Sequence, residues 1–250
     1  MRNLFLIAAT TLTACLALAQ APAAPDVDTL LARMEQAQSE NRARFTPYMV
    51  TREYKLFNKE GERPSEVLAE ITFQPPDQKQ YQIRRTSGSG SCEKVVRRVL
   101  DREAEMTRRP AEIEISRNNY DFTLLRTERL GNATVYVLEL RPKRADKNLL
   151  KGVAYVDANT YRIRRLVGHP AKNPSWLIKD LLLTLTFDEV QGMWMQTATE
   201  AVANVRFVGR HVFTSQDVNV QTAEQVAQVV RPRRNRARSA AAGLGAGVLR

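Results

Sequence analysis

The sequence predicts an α+β fold: a curved antiparallel β-sheet of about ten strands, rolled into a half-barrel, with two or so helices covering the concave face. Three observations lead there. Apolar and polar residues alternate through most of the chain from Tyr48 to Val218, short turn signals separate the alternating runs, and only two stretches have helical spacing. Short turns between consecutive strands require antiparallel neighbours, so the second half reads as a meander. A sheet this wide, apolar on one face and served by two helices, covers itself best by curling around them.

Leu30, Leu31, Met34 and Phe45 are spaced among Asn, Gln, Glu and Arg, which predicts a helix over 27–44 capped by Asp26 or Asp28. Tyr48–Asn58 is strand-like and ends at the turn signal Asn58-Lys59-Glu60-Gly61. Val67, Ala69, Ile71 and Phe73 then alternate with Leu68, Glu70 and Thr72, and Pro75-Pro76 stop the run. A third strand covers 79–85 with Tyr81 and Ile83 on one side. Ser87-Gly88-Ser89-Gly90-Ser91 breaks the sheet. Ser91 caps a helix through Cys92, Val95, Val96, Val99 and Leu100 to about Met106, and Pro110 forbids its continuation.

Beyond Ala111 only strands are expected, over 122–128, 134–141, 152–157, 161–167, 179–190, 193–202 and 209–218. Tyr136, Leu138 and Leu140 share one side of their strand, and Tyr161, Ile163 and Val167 share a side of theirs. Leu181, Leu183, Leu185 and Phe187 do the same, with Asp180, Thr184, Thr186 and Asp188 facing away. The resulting apolar concavity is either a filled core or a lipid-sized cavity. Phe73, Tyr81, Leu138, Ile163, Leu183 and Leu185 are the candidate lining residues.

Residues 1–19 read as a secretory signal: Arg2, an apolar stretch from Leu4 to Leu18, and Ala17-Leu18-Ala19 before Gln20. That stretch is about 15 residues, short of the ~20 a spanning helix needs. Leu12-Thr13-Ala14-Cys15 also matches a bacterial lipobox, in which the Cys is lipidated and becomes the N-terminus, although Leu16–Ala19 stays apolar where such a tether is usually polar. Export places the protein in the periplasm, with or without an anchor through Cys15. An Ala/Pro linker (20–25), one domain (26–220) and a basic tail (221–250) follow.

The formal charge of +11 suggests nucleic acid or anionic membrane at first sight. Residues 231–250 hold six arginines and no acid, and Arg2 belongs to the signal, so only +4 remains for residues 20–230. The tail has neither interleaved aromatics nor a recognition helix, and export argues further against nucleic acid. A disordered, solvated tail is the expectation for an exported chain, with attraction to anionic lipid headgroups as the functional alternative.

No enzyme and no cofactor are expected. His169 and His211 have no Cys, Asp or Glu at ligand spacing. Gly88–Lys94 lacks the G-K-[ST] end of a phosphate loop and the G-x-S-x-G of a nucleophile elbow, and its glycines suit the hinge of a helical lid better. Cys92 stands near a helix N-terminus, where a thiol pKa falls, but no His partner accompanies it. Glu103, Glu105, Glu112 and Glu114 read as a solvated charged face. Alternation puts Arg162 and Arg164 on one face and Arg165 opposite, among Tyr161 and Ile163. Trp176 and Trp194 are read as packing or cavity-rim residues.

The run from Gly131 to Val218 resembles the outer-membrane lipoprotein-sorting family, the LolA/LolB-like fold. The resemblance rests on Tyr136–Lys143, Lys151–Asp157, Tyr161-Arg162-Ile163-Arg164-Arg165 and Phe187–Trp194, with the Leu30–Met34 helix leading into Arg52-Glu53-Tyr54. It implies an open, curved antiparallel sheet with helices as a lid. It also implies a non-catalytic carrier that shields the acyl chains of a lipid or lipidated protein. In the carrier, an Arg directly before Pro helps hold the lid. Here Gln74 precedes Pro75, so the lid contact falls to a residue that hydrogen-bonds without charge. A periplasmic interaction module binding a protein partner is the alternative use of the same fold.

Overall fold

A computed structural model describes residues 25–58 and 63–222; the signal, residues 20–24 of the linker and the tail beyond Thr222 lie outside them. The first helix, α1 (Val27–Arg44), begins as expected, with the Asp26 carboxylate accepting from the Thr29 N–H at 2.9 Å. Three antiparallel strands follow, β1 (Tyr48–Phe57), β2 (Ser65–Gln74) and β3 (Gln78–Ser87). Helix α2 (Gly90–Thr107) starts two residues earlier than Ser91 would allow: its N-cap is Ser89. Pro110 opens a further short turn of helix, α3 (Pro110–Ile113), where only strand was expected.

The remaining strands are β4 (Tyr120–Leu130), β5 (Ala133–Pro142), β6 (Leu150–Asp157), β7 (Ile163–Pro170), β8 (Ile178–Val190), β9 (Met193–Val205) and β10 (Gly209–Thr222). β10 ends two residues beyond the expected domain limit at 220. All ten strands form one antiparallel sheet in the order β3-β2-β1-β10-β9-β8-β7-β6-β5-β4. It is an open, curved sheet with α1 and α2 on one face, the predicted α+β half-barrel. The meander from β4 to β10 follows from short turns. The pairing of β1 with β10, which joins the β1–β3 hairpins to that meander, does not.

Two apolar clusters fill the concave side. One packs α2 through Cys92, Val96 and Leu100 against Tyr48, Val50, Tyr54, Val67, Ile71 and Phe73. The other packs α1 through Leu30, Leu31 and Met34 against Tyr120, Leu138, Leu140, Ala154, Val156 and Leu166. Each helix thus roofs its own part of the sheet.

The backbones of β6 and β7 come close together at a pair of glycines. Gly152 stands opposite Gly168, and a Cβ on Gly152 would lie 2.0 Å from the Val167 carbonyl oxygen and 2.5 Å from Gly168 Cα. Only a residue without a side chain allows that approach. At the other glycine-rich site, Gly88 has φ +85° and abuts Ser65, whose Oγ accepts from the Ser89 N–H at 2.9 Å. The segment expected as a hinge forms a turn in contact with Ser65 of β2.

Candidate functional site: the concave face

The six candidate lining residues all belong to the concave clusters, but not to one of them. Phe73 is buried beneath α2, and Tyr81 packs beside it with its hydroxyl donating to Asp101 at 2.6 Å. Leu138 is fully buried in the α1 cluster, while Ile163, Leu183 and Leu185 line its margin and are only partly covered. The face therefore consists of two roofed halves with a partly open apolar strip along β7 and β8. Gln74 is exposed at the end of β2, opposite Gln78, and hydrogen-bonds to no helix among the described residues.

What ties α2 to the sheet is charge. Arg52 of β1 faces inward in the series Tyr48, Val50, Tyr54 and Leu56, and it is 5% exposed. Its Nε donates to Asp217 of β10 at 2.5 Å, and its Nη1 donates to Glu103 of α2 at 3.2 Å. Lys79 of β3 completes the group, donating to Glu103 at 2.8 Å. Two cations and two carboxylates are thus shared among three strands and a helix.

Burial alone would raise the Glu103 pKa, but Lys79 and Arg52 outweigh it and hold the carboxyl below its ordinary value. Asp217 shifts the other way: burial raises it in spite of the Arg52 hydrogen bond. Burial also pushes the Tyr48 phenol up to about 12. Beside the group, the Tyr54 hydroxyl is buried with no hydrogen-bond partner among the described residues.

The reading of Glu103 as part of a solvated face is therefore corrected. Its side chain is 27% exposed and bonded to two cations, because α2 turns that residue toward the sheet. The acidic spacing could not show this. The available signal was Arg52, a charge at an inward position of an otherwise apolar strand face, which calls for a partner.

The arginines of β7 are also rearranged. Tyr155 pairs with Arg165 and Val156 with Ile163, so Arg164 is an extra residue in a bulge. The bulge reverses the alternation: Ile163 and Leu166 join the concave cluster, whereas Arg165 and Val167 turn to the convex side. Arg165 borders a convex groove of about 430 Å³ with Glu53, Lys55 and Glu200, and its Nε has no hydrogen-bond partner among the described residues. Arg162 and Arg164 lie 5.6 and 5.5 Å from the Trp194 ring centroid, whose Nε1 donates to the Ile163 carbonyl at 2.8 Å.

Trp194 is a packing residue, and its backbone is held from above. Pairing of β9 with β10 stops at Ala198, and at Trp194 the Asn41 side chain of α1 takes over the role of a neighbouring strand. It donates to the Trp194 carbonyl at 2.7 Å and accepts from the Trp194 N–H at 2.8 Å. Asn41→Ala leaves both groups without that partner and is expected to cost about 2 kcal/mol of stability, read from urea denaturation. A loss under about 0.5 kcal/mol would show that water replaces Asn41 freely.

Two further sequence readings can be placed. Cys92 is buried and donates to the Ser65 carbonyl at 3.3 Å; burial raises its pKa, the reverse of the depressed thiol considered at a helix N-terminus. Among the described residues, no group of three or more His, Cys, Asp or Glu is placed to hold a metal ion. His169 lies 3.1 Å from Asp180, on the margin of the sheet.

Fold and site together define a class: an open antiparallel half-barrel whose helices roof an apolar concavity. No protein-family description matches the chain, and no curated protein matches it either. Among solved structures it is similar to a DUF1329 family protein from Desulfovibrio piger, with 14% identity, 78% of this chain and 91% of that one covered, and a TM-score of 0.42. It is similar as well to an outer membrane lipoprotein-sorting protein domain from Vibrio parahaemolyticus, described as putative (15% identity, 75% and 91% covered, TM-score 0.40). A third is a LolA superfamily protein from Nitrosomonas europaea (12% identity, 80% and 94% covered, TM-score 0.38).

Proposed function

We propose that the protein is an exported, non-catalytic carrier of lipid or lipoprotein acyl chains in the bacterial envelope. The supporting observation is the strip between the two roofed halves, where Ile163, Leu183, Leu185 and Phe187 are apolar, inward and incompletely covered. An acyl chain laid along it gains about 0.8 kcal/mol for each CH₂ withdrawn from water. Native mass spectrometry of protein purified from its own envelope is expected to show bound lipid, and a fluorescent fatty acid is expected to bind. In Leu183→Asn/Leu185→Asn that binding weakens by about tenfold or more, since two half-covered leucines can become polar without opening the buried core. Absence of co-purifying lipid together with absence of fatty-acid binding would remove the proposal.

One observation favours a second reading. Most of the residues in both concave clusters are nearly inaccessible, as in a filled core, which suits a periplasmic module recognising a protein partner by its outer surface. Capture of one defined envelope protein without bound lipid would select it.

A further inference from the structure

Four of the six large hydrophobic residues most exposed among the described residues stand at one end of the sheet. Trp176 and Leu177 end the β7–β8 loop, and Phe207 and Val208 form the tip of the β9–β10 turn, with exposures of 73, 38, 92 and 65%. The two loops are bound together, the Arg206 N–H donating to the Leu177 carbonyl at 2.7 Å. The longer loop is internally organised: the Ile178 N–H donates to the Ser175 carbonyl at 3.1 Å and Asn173 donates to the Ile178 carbonyl at 3.3 Å. Trp176 is therefore presented outward by an ordered loop.

Beside this apolar tip lies a cleft of about 530 Å³ lined by Lys172, Lys179 and Arg206 together with Ser175 and Trp176, and no carboxylate borders it. None of the three cations forms an ion pair with a described residue. Asp180, next along β8, faces His169 instead. Phe207 adds an independent sign. It has φ +68°, a left-handed conformation that glycine or asparagine adopts more readily, and it packs on almost nothing. Neither local conformation nor burial accounts for a phenylalanine there.

From this combination we infer that the loop tip docks on an anionic phospholipid bilayer. Lys172, Lys179 and Arg206 hold headgroup phosphates, with Ser175 able to donate to them. Trp176 lies at the headgroup level, and Leu177, Phe207 and Val208 enter the acyl boundary. An aromatic and aliphatic tip flanked by unpaired cations matches that surface in both charge and polarity. The tip stands at the Gly209 end of β10, the opposite end of that strand from Thr222. The inference goes beyond the carrier reading and stands whether or not the concave face takes a lipid.

The test uses the full chain and vesicles of phosphatidylethanolamine with phosphatidylglycerol, against vesicles of phosphatidylcholine alone. Trp176 emission is expected to shift to the blue and to be quenched by brominated lipid in the anionic vesicles only, and the quenching disappears in Trp176→Phe. Phe207→Gly relieves the left-handed backbone, so its melting temperature holds or rises while vesicle affinity falls about tenfold. Lys172→Gln/Lys179→Gln/Arg206→Gln lowers anionic-vesicle affinity by about tenfold or more. Fatty-acid binding is unchanged in all of these variants, which separates this surface from the concave face. Vesicle binding equal to wild type in both Phe207→Gly and the triple variant would overturn the inference, since the chain termini would then carry it. Self-association or a protein complex lost in Phe207→Gly, without any vesicle binding, would overturn it as well.

Discussion

Gly152→Ala is expected to destabilise the protein by at least ~3 kcal/mol and lower its melting temperature by about 6–12 °C. The added Cβ would sit 2.0 Å from the Val167 carbonyl oxygen and 2.5 Å from Gly168 Cα, and neither is a flexible side-chain end that can swing away. Relief requires parting β6 from β7, at the place where Leu166 and Ala154 join the α1 cluster. Gly90→Ala is the control. A Cβ there meets nothing within 4 Å, and the residue opens α2, so the change is expected to be neutral or slightly stabilising. Calorimetry of the two variants decides the matter: equal melting temperatures would mean that β6 and β7 separate there without cost.

Asp217→Ala is expected to cost about 3–5 kcal/mol, because it leaves the Arg52 guanidinium buried with only the more distant Glu103 to balance it. The Arg52 and Asp217 side chains are 6 and 3% exposed, so water cannot replace the lost partner. The double variant Arg52→Met/Asp217→Leu recovers a large part of that loss, since it removes the desolvated charges together. A double variant as unstable as Asp217→Ala alone would show that the pair contributes by packing rather than by charge.

The same group predicts a pH dependence of two signs. Glu103 is held below its ordinary value, so its contribution is full above the unfolded glutamate pKa of ~4.3 and is lost as pH falls through the lower folded value. Asp217 is held above its ordinary value; it favours the folded state below the unfolded aspartate pKa of ~3.9, and that contribution is lost as pH rises through the higher folded value. The acid limb of the stability profile therefore becomes shallower in Glu103→Gln and steeper in Asp217→Asn. Parallel profiles for the two variants would contradict the assignment.

Much of the concave face was legible in the residues themselves. Leu138 and Leu140, or Leu183, Leu185 and Phe187, lie together because a strand repeats every second residue, and that period is written in the chain. The face of Arg165 was not legible, because a single extra residue at Arg164 reverses the alternation and its presence depends on which residues of β6 are opposite. Glu103 was misread for a related reason. Its partners come from strands far away in the sequence, so nothing near it distinguishes it from Glu105, which stays exposed. The tip at Trp176 and Phe207 fell between these cases: both side chains were visible, but their adjacency required β8 and β9 to end side by side.

By itself, then, the chain determined an antiparallel sheet with one apolar face, two covering helices and a net positive charge carried mostly at its ends. These properties depend on residue period, turn chemistry and composition, all of which act between near neighbours. The tertiary structure alone decided that β1 closes on β10, that α2 is tied down by Arg52, Lys79 and Glu103, and that four exposed apolar residues share one end. Each of these depends on which backbone hydrogen-bonds to which across long stretches of sequence, and that choice is made by the packing of the whole sheet around its helices.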